Sequence, residues 1–308
     1  MHYSVMLQEV VESLNIKSEG IYVDATLGYA GHASEILKRI KKGCLFAFDQ
    51  DIEAIQASTK RLESIGTNFQ IIKSNFLYMK EELLKRGITK VDGIVFDLGV
   101  SSPQLDNASR GFSYLKEARL DMRMDQDNPL SAYGVVNNYE EKDLVRIIRD
   151  YGEEKYAKSI ARNIVKARKK KAIETTIELA DIIKHSMPLK DTLEKNPSRR
   201  TFQAIRIEVN HELDILDESI RKALSLLNIN GRIAVITFHS LEDKIVKKVF
   251  REVTSVDKLV RELPEIPLEY QPKFKIVNEV ILPSNEELLE NNRSRSAKLR
   301  VIERIKED

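Results

Sequence analysis

The sequence predicts an α/β protein: a doubly wound parallel sheet whose chain is interrupted by an all-helical insertion. Three observations predict it. Strand-length apolar runs alternate with helix-period segments over the first hundred residues. Near Asp106 that alternation stops, and helical periodicity broken by turn-rich pieces takes over. A strong apolar run, Asn230 to Phe238, then resumes the strand signal. With 42% hydrophobic and 32% charged residues over 308 positions, the chain can bury a sizeable core as one large domain or two sharing an interrupted chain.

Taken in order, Ile21-Tyr22-Val23-Asp24-Ala25 reads as the first strand and about Ala30 to Lys41 as a helix. Leu45 to Asp49 is the second strand, followed by a helix through Ile55 and Leu62. Phe69 to Ile72 is the third, with a helix around Tyr78 to Arg86. The fourth, Val91 to Asp97, is a short apolar run suited to burial on both faces. Gly99, Ser101, Ser102 and Pro103 are expected to deny it a helix immediately afterwards. Helix-period segments come next at Glu140 to Asp150, Glu153 to Lys171 and Ile177 to Ser186, and another helix spans about Asn210 to Leu227. Ile276 to Leu282 and Ala297 to Glu303 read as a closing antiparallel pair. The expected domains are therefore 1–105 and 209–308 for the sheet and 106–208 for the helical insertion.

Composition narrows the function classes. All apolar stretches are strand-length, so none is expected to span a bilayer. The N-terminal segment, opening Met1-His2-Tyr3-Ser4 and continuing in mixed composition, lacks the basic region and apolar core of a signal peptide. Cys44 is the only cysteine, which rules out an intramolecular disulfide and a thiolate zinc cluster, and a cytoplasmic protein is expected. Net charge is only +2, but eight basic and no acidic residues lie between Lys155 and Lys171. Lys155, Lys158, Arg162, Lys166 and Lys169 recur at three- and four-residue steps, on one side of a helix. Such a face is either a polyanion-binding surface or plain solvated surface.

The chemistry gathers at strand ends. In open parallel sheets, ligands sit beyond the carboxyl ends of the strands. Asp97 closes the fourth strand, either as a turn element or as a functional carboxylate. After the first strand comes Asp24-Ala25-Thr26-Leu27-Gly28-Tyr29-Ala30-Gly31-His32, where small residues let a ligand approach a helix N-terminus. This is neither the G-x-G-x-x-G fingerprint nor a P-loop, so a pyrophosphate cradle is disfavoured and a carboxylate-bearing ligand fits better. Asp49 ends the second strand, where an acidic residue can accept hydrogen bonds from ribose hydroxyls. Asp51 reads as a helix N-cap. The row suits S-adenosylmethionine, which carries ribose, adenine and an amino-acid carboxylate without phosphate. No His/Asp cluster at ligand spacing argues for a metal.

Several longer words are more specific: D-L-G-V-S-S-P-Q-L-D (97–106), R-G-F-S-Y (110–114), L-D-M-R-M-D (120–125), Y-G-E-E-K (151–155), R-T-F-Q-A-I-R-I-E-V-N (200–210), F-H-S-L-E-D (238–243) and N-R-S-R-S (292–296). Nearly end to end, the chain resembles the bacterial small-subunit ribosomal RNA methyltransferase H family, formerly called MraW. The resemblance implies a Rossmann-like methyltransferase sheet. It also implies methyl transfer from S-adenosylmethionine to N4 of one cytidine in the decoding region of 16S ribosomal RNA, within the small ribosomal subunit. It implies that Ala30, Gly31 and His32 hold the methionine end of the cofactor, that Asp49 holds the ribose and that Phe76 packs on the adenine. Asp97 and Gln104 would complete the site. The family usually has Gly where this chain has Ala30, and Ala resists the positive-φ conformations Gly allows.

Other readings of these residues stand beside those. His32 could be a helix-start residue without a ligand role, and Phe76 a core contact. His239 could be a buried structural histidine or line a target-base pocket. Cys44 reads as a small core residue. Asp97 is the candidate catalytic residue, orienting the cytosine amine, unless cofactor occupies its carboxylate fully. Against a nicotinamide-dependent oxidoreductase stand the missing G-x-G-x-x-G and the lack of a Tyr-Lys or His-Asp catalytic pattern. Against a non-catalytic assembly factor stand intact Asp49, Asp97 and Gln104.

Overall fold

The computed structural model describes residues 4–194, 196–256 and 260–307, so Met1 to Tyr3 of the N-terminal segment lie outside the described residues. The chain divides into two compact units. One comprises the residues up to Gly99 together with those from Leu213 onward, and the other spans Val100–Glu212. The sequence places these boundaries at 105/106 and 208/209.

The first unit carries seven strands: β1 (Ile21–Asp24), β2 (Cys44–Asp49), β3 (Phe69–Lys73), β4 (Val91–Asp97), β5 (Leu227–Thr237), β6 (Phe274–Ile281) and β7 (Lys298–Arg304). They form one sheet in the order β3-β2-β1-β4-β5-β7-β6. The first five run parallel, and β7 is antiparallel to both β5 and β6. The order reverses between β1 and β4, which makes the carboxyl ends of β1, β2 and β4 the switch-point crevice.

Burial on both faces explains the near-continuous apolar runs. Val23, Phe46, Phe48, Ile94, Phe96, Ile233 and Val235 face one core with Leu216, Ile220, Val246 and Phe250. Their neighbours Tyr22, Leu45, Ala47, Val95, Ala234 and Ile236 face the other, with Val10, Leu14, Ala33 and Ile36. Alternate residues point to opposite sides, as the pleat requires. The helices of this unit are Leu7–Leu14, Gly31–Arg39, Ile52–Glu63, Met79–Leu84, Leu216–Leu226, Ser240–Thr254 and Asn285–Glu290.

The second unit is built from helices at Ser102–Asp106, Ala132–Asn138, Glu141–Asp150, Ala157–Arg168, Thr176–Lys184, Leu189–Glu194 and Ser198–Asn210. Its core gathers Leu144, Ile147, Ile160, Ile164, Leu179, Ile183, Phe202 and Ile205. The only strand-like feature among its described residues is an isolated bridge between Arg119 and Thr175. Three sequence words meet inside it. Arg110, 3% exposed, donates to the carbonyls of Arg123 (3.0 Å) and Met124 (3.2 Å). The Asn210 side chain donates to the Met122 carbonyl and accepts from the Met124 amide, both at 2.8 Å. Gly111 sits at φ 71°, and a Cβ there would stand 2.4 Å from the Arg119 carbonyl oxygen. These words therefore tie down one loop.

Three sequence expectations need correction. A helix does follow β4 closely: Ser102–Asp106 starts behind Ser101, whose hydroxyl accepts from the Gln104 amide while Gln104 Oε1 accepts from the Ser101 amide. Pro103 lies in the first turn, where no N–H is needed, so the capping box outweighs the turn residues. The helix expected at Asn210 to Leu227 begins at Leu216, because Asn210 ends the preceding helix and His211 adopts a left-handed conformation. The basic helix starts at Ala157, since Glu153 also takes positive φ.

Candidate active site

Three carboxylates stand in a row at the switch point. Asp24 ends β1, Asp49 ends β2 and Asp97 ends β4. Asp24 is almost fully buried and accepts from the amides of Thr26 (3.1 Å) and Ala33. Burial pushes its carboxyl up to about 7, with Asp49 adding like-charge repulsion. Asp49 accepts from the Gly28 amide and the Asp51 amide, both at 2.8 Å. Burial lifts it to about 6 while those two amides restrain the rise. Asp51 caps the Ile52–Glu63 helix through the Glu53 amide, as its position suggested.

Asp97 is the most perturbed of the three. Burial comes first, then the charges of Asp24, Glu242 and Glu287, and together they raise it to about 8. Its amide donates to the Thr26 hydroxyl oxygen at 2.6 Å. Although the side chain keeps 26% exposure, its Oδ1 is enclosed without a hydrogen-bond partner. A buried acceptor of this kind costs about 1–3 kcal/mol, which a ligand with a donor would recover. Neither Asp24 nor Asp97 pairs with a lysine or arginine among the described residues.

The loop from β1 to the next helix closes over this row. Ala30 adopts φ 60°, ψ 33°, the left-handed conformation that Gly would take at no steric cost. Gly31 starts the helix so close to the N-terminal segment that a Cβ would lie 1.5 Å from Ser4 Oγ. His32 is buried. Its Nε2 donates to the Val5 carbonyl at 3.0 Å, and Nδ1 lies 3.6 Å from Asp97 Oδ2. Burial lowers the imidazole to about 4, so the ring is neutral at physiological pH.

Phe76 begins a short 3-10 turn after β3 and is half-buried. Its ring stands edge-on to Phe96, centroids 5.7 Å apart. The sheet unit thus brings Ala30, Gly31, His32, Asp49, Phe76 and Asp97 to one edge, whereas Gln104 belongs to the helical unit. The sequence reading does not single out Asp24 as a site residue. The signal was there, since it is the strand-end carboxylate in register with Ala47 of β2. Glu242 and Glu287 gave no such signal, because only the fold brings them towards Asp97.

His239 caps the Ser240–Thr254 helix, its ring nitrogen accepting from the Glu242 amide at 3.4 Å, while Glu242 Oε2 accepts from the Phe238 amide at 2.7 Å. The Cys44 thiol is pushed up by partial burial, which makes it a poor nucleophile. Of the five basic positions, Lys158, Arg162 and Lys166 lie on the Ala157–Arg168 helix and are exposed. Lys155 precedes that helix and pairs with Asp191 at 3.2 Å, and Lys169 forms its C-cap. Arg168, by contrast, donates to the carbonyls of Val136 and Tyr139 and is a structural brace. Lys166, Lys170 and Lys171 also border a groove of about 620 Å³ floored by Ala167, Ile173 and Ile182.

A family model described as the MraW methylase family matches residues 1–305. A protein of Exiguobacterium sibiricum named ribosomal RNA small subunit methyltransferase H is 53% identical over 308 residues, covering 99% of each chain. One of the same name from Streptococcus mutans is 54% identical over 310 residues, covering 99% of this chain and 98% of its own. Among solved structures, one described as an rRNA methylase from Streptococcus thermophilus is similar with a TM-score of 0.44 at 14% identity, over 97% of this chain and 94% of that one.

Proposed function

The chain belongs to the MraW methylase family, and on that premise we propose that it methylates N4 of one cytidine in the decoding region of 16S ribosomal RNA. It is an S-adenosylmethionine-dependent methyltransferase. Its substrate is the RNA within the small ribosomal subunit, and it works in the cytoplasm. The described residues contain no helix long and apolar enough to cross a membrane.

One observation carries the assignment of the site: the enclosed, unpartnered Asp97 Oδ1 at the end of a carboxylate row that no lysine or arginine neutralises among the described residues. A cation with N–H donors is the complement of such a row, and a phosphate-bearing ligand is not. The residues therefore fit this cofactor. Bound, it supplies an electrophilic methyl group on a sulfonium. Asp49 accepts the ribose hydroxyls, Phe76 packs against the adenine, and the turn at Ala30, Gly31 and His32 receives the methionine end. Gln104, on the helix Ser102–Asp106, is assigned to cofactor binding on the family resemblance alone.

The cytosine amine is a weak nucleophile because its lone pair is delocalised into the ring. Asp97 orients that amine and accepts from its N–H, favouring tetrahedral geometry at nitrogen. To reach a pocket at strand ends, the base leaves its stack. The exposed cations Lys158, Arg162 and Lys166 hold RNA phosphates, which contribute affinity without sequence information. The test is mass mapping of small-subunit rRNA from cells with and without the gene, then incubation of purified subunits with protein and methyl-labelled cofactor. One N4-methylated cytidine that appears only with the protein is expected. Label elsewhere, or none, overturns the assignment.

A further inference from the structure

We propose that Asp97 carries a proton facing His32 Nδ1 in the ligand-free enzyme, and that binding of the cationic cofactor expels it. The inference rests on reading the carboxylate row as the cofactor site. The Val5 carbonyl can only accept, so the 3.0 Å contact fixes the ring hydrogen on Nε2 and leaves a lone pair on Nδ1. That lone pair faces Asp97 Oδ2 at 3.6 Å, too long for a finished hydrogen bond. If Asp97 were ionised, two acceptors would face each other across this gap with no donor between them. A proton on the carboxyl removes that conflict and gives Nδ1 a donor.

The surroundings push the same way. Asp24 from the end of β1, Glu242 from the Ser240–Thr254 helix and Glu287 from the Asn285–Glu290 helix all add negative charge at Asp97. Asp49 adds its own at Asp24. The groups that could compensate are engaged or neutral. His239 faces Glu242 at 3.1 Å, and His32 is an uncharged ring. Asp97 titrates near 8 and His32 near 4, so the proton resides on the carboxyl oxygen. When a cation enters the row, the ionised carboxylate becomes the better partner. The O–H bond then breaks, its electron pair stays on oxygen and the proton passes to buffer.

On this account His32 is a positioning residue. It ties the N-terminal segment across the cofactor loop and sets which form of Asp97 the empty pocket prefers. Ionised Asp97 is also the form able to accept from the target amine, so the proton leaves only once cofactor is in place.

The experiment has a ligand-free and a ligand-bound arm. Infrared difference spectra of the ligand-free protein at about pH 7, wild type minus Asp97→Asn, should contain a protonated-carboxyl band that fades by about pH 9. Calorimetric titration with S-adenosylmethionine at neutral pH, in phosphate and in Tris, should give enthalpies that differ by the release of about one proton. Asp97→Asn should bind with a clearly smaller buffer dependence, the remainder coming from Asp24 and Asp49 in the same row. His32→Gln keeps a donor for Val5 but removes the acceptor facing Asp97, so the infrared midpoint should fall to lower pH, and His32→Asn should restore it. A merely structural histidine would change affinity and leave the midpoint where it was. The proposal is overturned by the absence of a carboxyl band, by buffer-independent binding in the wild type, or by undiminished proton release in Asp97→Asn. If the cofactor fails to bind at all, the functional reading fails, and the infrared band still decides whether Asp97 holds the proton. Should the His32 variants not fold, the band in wild type and Asp97→Asn decides alone.

Discussion

Asp49 and Asp97 sit at equivalent strand ends yet invite different tests. Asp49 already satisfies two loop amides, so its charge is partly stabilised before any ligand arrives. Asp49→Ala removes a charge-assisted acceptor worth roughly 1.5–3 kcal/mol, and cofactor affinity should fall about ten- to a hundred-fold by calorimetry. A folded variant with wild-type affinity would dismiss the ribose role. For Asp97 the question is chemistry. Asp97→Asn keeps the shape, and single-turnover methyl transfer should slow far more than subunit binding weakens. Stability supplies an independent sign. Because folding raises this carboxyl from 3.8 to about 8, its contribution is full below about pH 4 and is lost as pH rises to about 8. Ligand-free Asp97→Asn should therefore gain on wild type across that window, on the order of 2–3 kcal/mol once the residual exposure is allowed for. Each kcal/mol moves Tm by about 2–4 °C. Parallel melting curves for the two proteins at about pH 5 and about pH 9, values chosen on either side of most of that window, would show that the carboxyl is not buried as described.

At the scale of elements, strands are more legible than helix ends. β4 and β2 match their apolar runs within a residue, because burial on both faces leaves few alternatives to an unbroken hydrophobic stretch. Helix limits depend on single residues in left-handed conformations, at Glu153 and His211, which no periodicity announces. The helix after β4 is obscured for another reason: Ser101 and Gln104 form a capping box that the sequence does contain, but Gly99 and Pro103 beside it signal a turn. The loop after β1 is a mixed case. Its small residues are evident, whereas the cause of the smallness at Gly31 is hidden, since Ser4 lies 27 residues upstream. Gly31→Ala must push the N-terminal segment away, because a Cβ 1.5 Å from Ser4 Oγ cannot be accommodated. It should lower both cofactor affinity and the pH midpoint of Asp97, through loss of the Val5 tie to His32. Ala30→Gly makes the opposite case. The left-handed backbone is already adopted, so affinity should stay within about two-fold, the relief of roughly 1 kcal/mol of strain being offset by one lost buried methyl. Binding lost in Ala30→Gly would mean that the loop path depends on the methyl group itself.

For the whole molecule the open question is what the helical unit contributes, and its charge distribution frames the test. A net charge of +2 conceals a run of 17 residues, Lys155 to Lys171, that is entirely free of acids. The fold then sorts these cations by role. Arg168 is spent on carbonyls, Lys155 on Asp191 and Lys171 on Glu178, at 3.0 Å in the last case. Lys158, Arg162 and Lys166 remain exposed at four-residue steps along one helix. A cofactor of one net positive charge has no use for three cations on a separate unit, whereas a phosphate backbone does. Changing Lys158, Arg162 and Lys166 together to Gln should weaken binding to the small ribosomal subunit and flatten its dependence on salt by up to about three counterions. Cofactor affinity should not move, because the carboxylate row belongs to the sheet unit. The helix itself should survive, since Gln is a good helix former and none of the three side chains is buried. Filter binding across a salt series, with cofactor titration as the internal control, separates the outcomes. If subunit affinity and salt slope both match wild type, the stripe is ordinary solvated surface. The phosphate contacts must then lie elsewhere, with Arg293, Arg295 and Lys298 the next group to change.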